Sequence, residues 1–212
     1  VLREQASPHL LASFHEERHE AARQNVLVTN RTARFLRPAD GIERTFRTAA
    51  ISLARHHLFA RALINTGRMA VANPYTRSST CPGGGQSVQN VRLSWADGTT
   101  GTVNDLLLWA QGHFLVLAFG DLSPAASQRL RALVRNAPVR VVQVVDGVGA
   151  AEAREHVRDP RGHLRGACHI TDQAWALVRP DSYLAATGVA IDSGLVDALG
   201  VALGLTGHGD PE

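Results

Sequence analysis

The sequence contains no lysine, since all 22 of its strongly basic residues are arginine. This absence excludes Schiff-base catalysis, a lysine general base and the lysine of a phosphate-binding P-loop. Cysteine is nearly absent too: only Cys81 and Cys168 occur, 87 positions apart. That spacing fits neither a C-x-x-C pair nor a zinc knuckle, so we expect two free thiols in a reduced compartment.

Long apolar runs are also missing. No stretch approaches the roughly 20 apolar residues of a membrane-spanning helix, and the N-terminus lacks the order of a signal peptide. We therefore expect a cytoplasmic protein without a membrane partner. The hydrophobic content of 44% over 212 residues is nevertheless sufficient for a substantial core.

Charge is divided unevenly along the chain. Residues 1–80 hold 12 arginines against 6 acidic residues, whereas residues 81–212 hold 10 arginines against 13. The two halves are thus predicted to be different modules. The N-terminal arginines are spread among acidic residues at helical spacing without interleaved aromatics, so we expect no nucleic-acid partner.

The N-terminal segment is predicted to be an α-helical hairpin. Ser7-Pro8 favours a helix start, and apolar residues recur at helical spacing to about Leu36. Asp40 with Glu43 resembles a capping box that opens a second helix. This second helix is predicted to continue through His57, which belongs to its buried stripe.

The C-terminal half alternates extended and helical patterns. Two apolar runs flank a helical pattern, which predicts a β-α-β unit with parallel strands. A tight hairpin and a closing apolar helix follow it. The predicted fold class is α/β: a thioredoxin-like C-terminal domain (β-α-β, then a β-hairpin and a closing helix) preceded by the α-helical hairpin segment. The predicted elements are a turn at 97–98, a helix at 103–109, strands at 113–119 and 139–145 around a helix at 123–136, a hairpin of 174–178 and 183–189, and a last helix from Asp192 or Ser193 to about 205.

We expect four segments along the chain. A change to Asn, Pro, Ser, Thr and Gly after the second helix indicates a linker before the α/β domain. The segments are a helical part at 1–67, the linker at 68–86, the thioredoxin-like domain without a CxxC motif at 87–206, and a tail at 207–212.

His15-Glu16-Glu17-Arg18-His19 matches H-E-x-x-H, in which two histidines one helical turn apart share a zinc ion. The third ligand of the longer motif is absent, and Glu43 is the only glutamate at a plausible downstream distance. We therefore interpret both histidines as surface residues of an amphipathic helix and predict no metal ligand.

The sequence lacks the motifs that are typical of thiol redox chemistry and of phosphate binding. In a thioredoxin-like domain the reactive cysteines lie where the first buried strand meets its helix. Here that junction, 119–124, has no cysteine. Gly83-Gly84-Gly85 is the only glycine run. It fits neither the P-loop pattern G-x-x-x-x-G-K-[ST] nor the dinucleotide-binding pattern G-x-G-x-x-G, so we interpret it as a flexible entry to a strand. No catalytic or cofactor-binding residue is predicted.

Two stretches resemble one enzyme family. Leu10-Leu11-Ala12-Ser13-Phe14 followed by Glu17-Arg18 looks like the helix after the flavin-contacting Gly-Asp motif, and Leu177-Val178-Arg179-Pro180-Asp181-Ser182-Tyr183 like a motif of the appended domain. The family is that of the FAD-dependent aromatic hydroxylases, which includes phenol hydroxylase, 3-(3-hydroxyphenyl)propionate hydroxylase and the polyketide hydroxylases. Ser182 is a departure, since family members usually carry glycine there.

The resemblance implies a C-terminal part of a longer FAD-dependent, NAD(P)H-using monooxygenase that hydroxylates phenolic or aromatic substrates. The family's flavin motifs would lie upstream of Val1, so this chain is expected to be non-catalytic, with a structural or oligomerisation role. Its expected partners are the N-terminal FAD and substrate domain of the same polypeptide and a second copy in a homodimer. The alternatives are a stand-alone thioredoxin-like binding or scaffold protein and, last, a thiol or zinc enzyme.

Overall fold

A computed structural model describes residues 6–64, 72–82, 85–145 and 156–205. The chain divides into two compact units, which we name by their content. The α/β unit comprises Val1–Glu17 and Pro74–Glu212, and the helical unit comprises Arg18–Asn73. The predicted segment boundaries at 67/68, 86/87 and 206/207 remain predictions, and several of these positions lie outside the described residues.

The described part of the α/β unit contains one mixed sheet of seven strands in the order β2-β1-β5-β4-β3-β6-β7. β3 and β4 are parallel and are joined by α5, whereas β6 runs antiparallel to both β3 and β7. The strands are β1 Arg92–Trp95, β2 Thr100–Thr102, β3 Phe114–Phe119, β4 Val139–Val145, β5 His156–Arg158, β6 Trp175–Val178 and β7 Leu184–Gly188.

The helices agree with most of the predicted pattern. The α/β fold class is confirmed, with its β-α-β unit, its hairpin and its closing helix in the predicted order. α1 begins in the α/β unit, and its residues from Arg18 onward belong to the helical unit. The helices are α1 His9–Leu36, α2 Ile42–His56, α3 Leu58–Ile64, α4 Val103–Ala110, α5 Pro124–Asn136, α6 His163–Ala167 and α7 Ser193–Ala202.

The core lies on both faces of the sheet. Every residue of β3 is buried, which explains why its sequence is continuously apolar rather than alternating. One face packs with Leu106, Leu164 and Cys168, and the other with Leu130 and Leu199. The two clusters contain only residues from 88 to 203, so the apolar core belongs to the α/β unit.

Several helices begin at a side chain that accepts a hydrogen bond from a backbone amide. The Ser123 hydroxyl accepts a hydrogen bond from the Ala126 amide at the start of α5, and Pro124 occupies the first helical position. Asp192 caps α7 in the same manner, by accepting from the Gly194 amide. A cap that sequence reasoning missed is Asp105, which accepts from the backbone amide of Thr102 at 2.7 Å.

The structure corrects three predictions. Asp40 does not cap α2, because Gly41 is the N-cap residue and Asp40 forms an ion pair with Arg44 instead. The second helix is interrupted at His57, which is extended with φ −130° and ψ 125°. The region interpreted as a loop after β4 contains the short elements β5 and α6. Their few residues provide too little periodicity for prediction.

Candidate functional site

The described residues contain a dense group of polar side chains around the buried Glu17, which we call the Arg179 cluster. Its members come from the start of α1, from the segment before the sheet and from the turn between β6 and β7, and all lie in the α/β unit. They are Glu17, Ser78, Thr80, Cys81, Arg179 and Asp181.

Arg179 is held between two carboxylates. Its Nη1 and Nη2 atoms donate to the Glu17 carboxylate at 2.5 and 3.0 Å. On the other side, Nε and Nη2 donate to the Asp181 carboxylate at 3.2 and 2.9 Å. Bidentate pairing suits the flat guanidinium, which presents its donors as a rigid fork. Both carboxylates thus fix the orientation of the Arg179 side chain.

Glu17 is the more deeply buried partner. Its side chain is 2% exposed, against 13% for Arg179. The hydroxyls of Ser78 and Thr80 also donate to its Oε1, at 2.5 and 3.2 Å. A buried carboxylate needs such compensation, because removal from water is costly unless charge and hydrogen bonds replace the lost solvation.

Aromatic packing covers the cluster. The rings of Tyr75 and Tyr183 stack with centroids 3.9 Å apart and planes inclined by 16°. The guanidinium carbon of Arg179 lies 5.4 Å from the Tyr75 ring centroid, within cation–π range. Gly85 lies against Tyr75, where a Cβ atom would stand 2.6 Å from the tyrosine carbonyl oxygen. A larger residue at position 85 would therefore displace the tyrosine stack.

The turn between β6 and β7 brings the side chains of Arg179 and Asp181 into contact. The Ser182 amide donates to the Arg179 carbonyl, which closes a four-residue turn with Pro180 at its second position. Ser182 has φ +66°, in the left-handed region that favours glycine. This conformation explains physically why glycine suits this position in the resembling hydroxylases.

The charges of the cluster stabilise the fold and do not favour proton transfer. Burial opposes the charge on Arg179, but the hydrogen bonds that Arg179 donates to Glu17 and the nearby negative charges outweigh burial and raise the pKa of Arg179. Arg179 therefore stays protonated at all ordinary pH values and cannot act as an acid or base. Arg179 is thus permanently charged, and its N–H donors are all engaged in hydrogen bonds within the protein, which suits a structural role.

Neither cysteine has the environment of a nucleophile. Both thiols are free and buried. Burial raises the pKa of Cys81, although Arg179 beside it acts in the opposite direction. Burial, with a smaller effect of Asp159, raises the pKa of Cys168 to about 12. Because the thiolate is the reactive form, both residues are inert thiols at neutral pH.

The residues of the candidate zinc motif differ in their exposure to solvent. His15, Glu16 and His19 lie on exposed positions of α1, whereas Glu17 is buried. Among the described residues, no group of three or more His, Cys, Asp or Glu side chains is arranged to hold a metal ion. Glu17 is the functional residue that sequence reasoning missed. Its signal was the Glu-Arg pair of the resemblance, which becomes meaningful only beside the Arg179 motif.

Gly85 and the cleft beside Trp175 are poorly suited to the phosphate groups of a flavin. Gly83 and Gly84 lie outside the described residues, and Gly85 is occupied by its contact with Tyr75. A cleft of about 400 Å³ beside Trp175 is lined mainly by small apolar residues and by the Asp192 carboxylate that caps α7. A negative charge at this helix start opposes a phosphate group. None of the described helices has the length and apolar character that a membrane crossing requires.

Comparison with known proteins gives this arrangement a family. The sequence pattern described as the HcaD C-terminal domain matches residues 85–199, more than half of the chain. The chain belongs to the HcaD C-terminal domain family. Comparison with the curated proteins finds no match.

Solved structures similar to this HcaD C-terminal domain chain include three flavin enzymes. OxyS anhydrotetracycline hydroxylase from Streptomyces rimosus is 24% identical with a TM-score of 0.64, and 96% of this chain matches 37% of that one. The flavin-dependent monooxygenase PieE, in complex with FAD and substrate, is 19% identical with a TM-score of 0.65, and 97% of this chain matches 42% of that one. The rebeccamycin biosynthetic enzyme RebC with reduced flavin is 23% identical with a TM-score of 0.60, and 97% of this chain matches 38% of that one.

These likenesses show a shared fold, and the chain spans about two fifths of the length of those proteins. Together with the family match they confirm the predicted resemblance to the C-terminal part of a flavin hydroxylase. The Arg179 cluster joins the two stretches that carried this resemblance, the α1 motif and the Arg-Pro-Asp turn.

Proposed function

We propose that this chain is the non-catalytic C-terminal part of an FAD-dependent, NAD(P)H-using monooxygenase that hydroxylates phenolic or aromatic substrates. Its role is to hold the structure of that enzyme together. The observation that carries the proposal is the Glu17–Arg179 pair, which ties α1 to the β6–β7 turn. In this pair the Glu17 carboxylate and the Arg179 guanidinium bind each other, whereas in a reactive site such groups would need to be accessible to a substrate.

The relatives support the chemistry of the whole protein. OxyS is described as an anhydrotetracycline hydroxylase and PieE as a flavin-dependent monooxygenase with FAD and substrate bound. The nicotinamide cofactor follows from the family resemblance, because a reduced flavin needs a hydride donor.

We further propose a thioredoxin-like α/β domain that has lost redox activity, in a cytoplasmic enzyme that forms homodimers. The strand order β4-β3-β6-β7, with one parallel and two antiparallel neighbours, supports the thioredoxin-like assignment. The junction after β3 presents Gly120 and the capping Ser123 where a redox domain carries cysteine. Analytical ultracentrifugation of the full-length enzyme tests the dimer.

Flavin titration tests the functional proposal. We expect no saturable quenching of FAD fluorescence by the isolated chain, and stoichiometric binding by the full-length protein. The full-length protein should also oxidise NAD(P)H faster when a phenolic substrate is added. Tight flavin binding by the isolated chain, or a full-length protein that binds no flavin, would contradict the proposal.

A further inference from the structure

The helical unit has almost no core of its own. Among its described residues, the only buried apolar side chains are Ala50, Ala54 and Ala60. Isolated helices of this length are marginal in water, and their stability comes chiefly from packing an apolar face. These helices therefore need a surface that covers them.

Most of the large apolar side chains described in the unit are instead exposed. Ile42 is 88% exposed, Phe46 56% and Leu53 40%, and their spacing of four and seven residues places them on one face of α2. Exposed apolar stripes of this size mark interaction surfaces. The other exposed large apolar residues described in the unit are Val26, Leu27, Leu36, Leu58 and Phe59.

Charge identifies the partner surface. Residues 18–64 contain nine arginines and three acidic residues. Each of the three carboxylates is already paired: Glu20 with Arg23, Asp40 with Arg44, and Glu43 with Arg34. The described part of the unit thus has six positive charges in excess around its apolar stripe. A complementary surface is apolar at its centre and acidic at its rim.

We infer that α2, α3 and the part of α1 from Arg18 onward form a docking surface for an acidic, apolar-centred surface on the preceding part of the same polypeptide. This inference rests on the proposed function. More than half of each similar solved chain lies outside the matched part, so the enzyme has ample chain to cover these helices. Two copies meeting through this face would bring two positive surfaces together, so a second copy binds it more weakly than an acidic surface and occupies it only where that surface is missing.

Hydrogen exchange of the flavin-loaded full-length protein tests the inference. We expect the amides of α2 and α3 to exchange at least about tenfold more slowly there than in the isolated chain. A triple variant, Arg31→Gln, Arg37→Gln and Arg55→Gln, should lose most of this protection. These three exposed arginines have no carboxylate partner among the described residues, so their charge is available to the docked surface.

A matched control removes the same charge elsewhere. Arg92→Gln, Arg131→Gln and Arg135→Gln change three exposed arginines of the α/β unit and should leave exchange in α2 unchanged. Added salt should accelerate exchange in α2 of the wild type more than in the triple variant, because salt screens rim charges.

The outcomes separate the two proposals. A full-length protein that binds flavin but exchanges α2 amides as fast as the isolated chain overturns the docking surface alone. So does protection that rises with protein concentration, which would identify a second copy as the occupant. A triple variant with wild-type exchange overturns the acidic partner surface. A full-length protein that protects α2 but binds no flavin overturns the proposed function and leaves the docking surface standing.

Discussion

Arg179 illustrates how a charged residue can be committed to structure. Its donors are divided between two carboxylates, a hydroxyl and a thiol, and its charge is fixed by those neighbours. Sequence reasoning recognised the Arg-Pro-Asp turn as specific but could not pair it with Glu17. The two residues are 162 positions apart, and pairing at that separation is decided by tertiary packing.

Removing Arg179 should destabilise the chain strongly. Arg179→Met leaves the buried Glu17 carboxylate without its charge partner, which costs about 3–5 kcal/mol. The double variant Glu17→Gln with Arg179→Met should be more stable than Arg179→Met alone, because no uncompensated charge remains. Urea unfolding measures both.

A surface ion pair provides the control for this experiment. Arg23→Met breaks the exposed pair with Glu20 and should change the unfolding midpoint little. Equal losses for Arg23→Met and Arg179→Met would contradict the structural role of the buried pair.

Cys168 predicts a loss of stability at high pH. Its pKa is about 12 in the folded chain, against 9.0 for an ordinary thiol. Between these values the folded chain retains a proton that the unfolded chain has lost, so stability is highest below pH 9 and falls as pH rises toward 12. The slope from this thiol approaches about 1.4 kcal/mol per pH unit.

Urea unfolding between pH 8 and 11 measures that slope. Cys168→Ala should lower the stability at pH 8, because the side chain is fully buried, and should also flatten the pH dependence. The part of the slope that remains belongs to the other groups, including Cys81, whose pKa is also raised. An identical slope in wild type and Cys168→Ala would refute the assignment.

At the scale of elements, the predictions succeeded where an apolar pattern is long. β3 and β4 appeared as continuous apolar runs, and the last helix was predicted from Asp192 or Ser193, where Asp192 caps α7. β5 and α6 have three and five residues, too few for a period to appear. The break at His57 was missed because apolar spacing continues across it although the backbone becomes extended.

The β6–β7 hairpin depends on a close approach at Gly188. A Cβ atom there would stand 2.5 Å from the Trp175 ring, and that ring is also fixed by its hydrogen bond to the Ala190 carbonyl. Gly188→Ala should therefore shift the edge strand and destabilise the chain by about 1–3 kcal/mol. Thermal unfolding measures the change.

Gly166→Ala in α6 is the matched control. No atom lies within 4 Å of its added methyl group, and alanine favours the helix over glycine. We expect unchanged or slightly higher stability for this variant. A Gly188→Ala protein as stable as Gly166→Ala would show that the tryptophan can move aside freely.

At the scale of the molecule, the two units differ in what holds them together. The α/β unit has apolar clusters on both faces of its sheet, and the helical unit exposes most of its described large apolar residues. The fold of the α/β unit was predictable because its own residues form its core. The surroundings of the helical unit were not, because most of its large apolar residues join no core among the described residues.

The isolated chain should consequently self-associate. We expect a sedimentation coefficient that rises with concentration, together with strong binding of a hydrophobic dye. Phe46→Ser with Leu53→Ser should reduce both, since these residues contribute to the exposed stripe. Leu108→Ser with Val196→Ser changes exposed apolar residues of the α/β unit and serves as control. A monodisperse monomer with low dye binding would contradict this expectation.

The Glu17–Arg179 pair also has a consequence for synthesis on the ribosome. Glu17 leaves the exit tunnel 162 residues before Arg179 does, which at typical translation rates is a delay of roughly 8 to 32 seconds. During that interval the Glu17 carboxylate has no guanidinium to pair with. The buried ion pair can therefore form only after Arg179 has been synthesised, late in the production of this part of the chain.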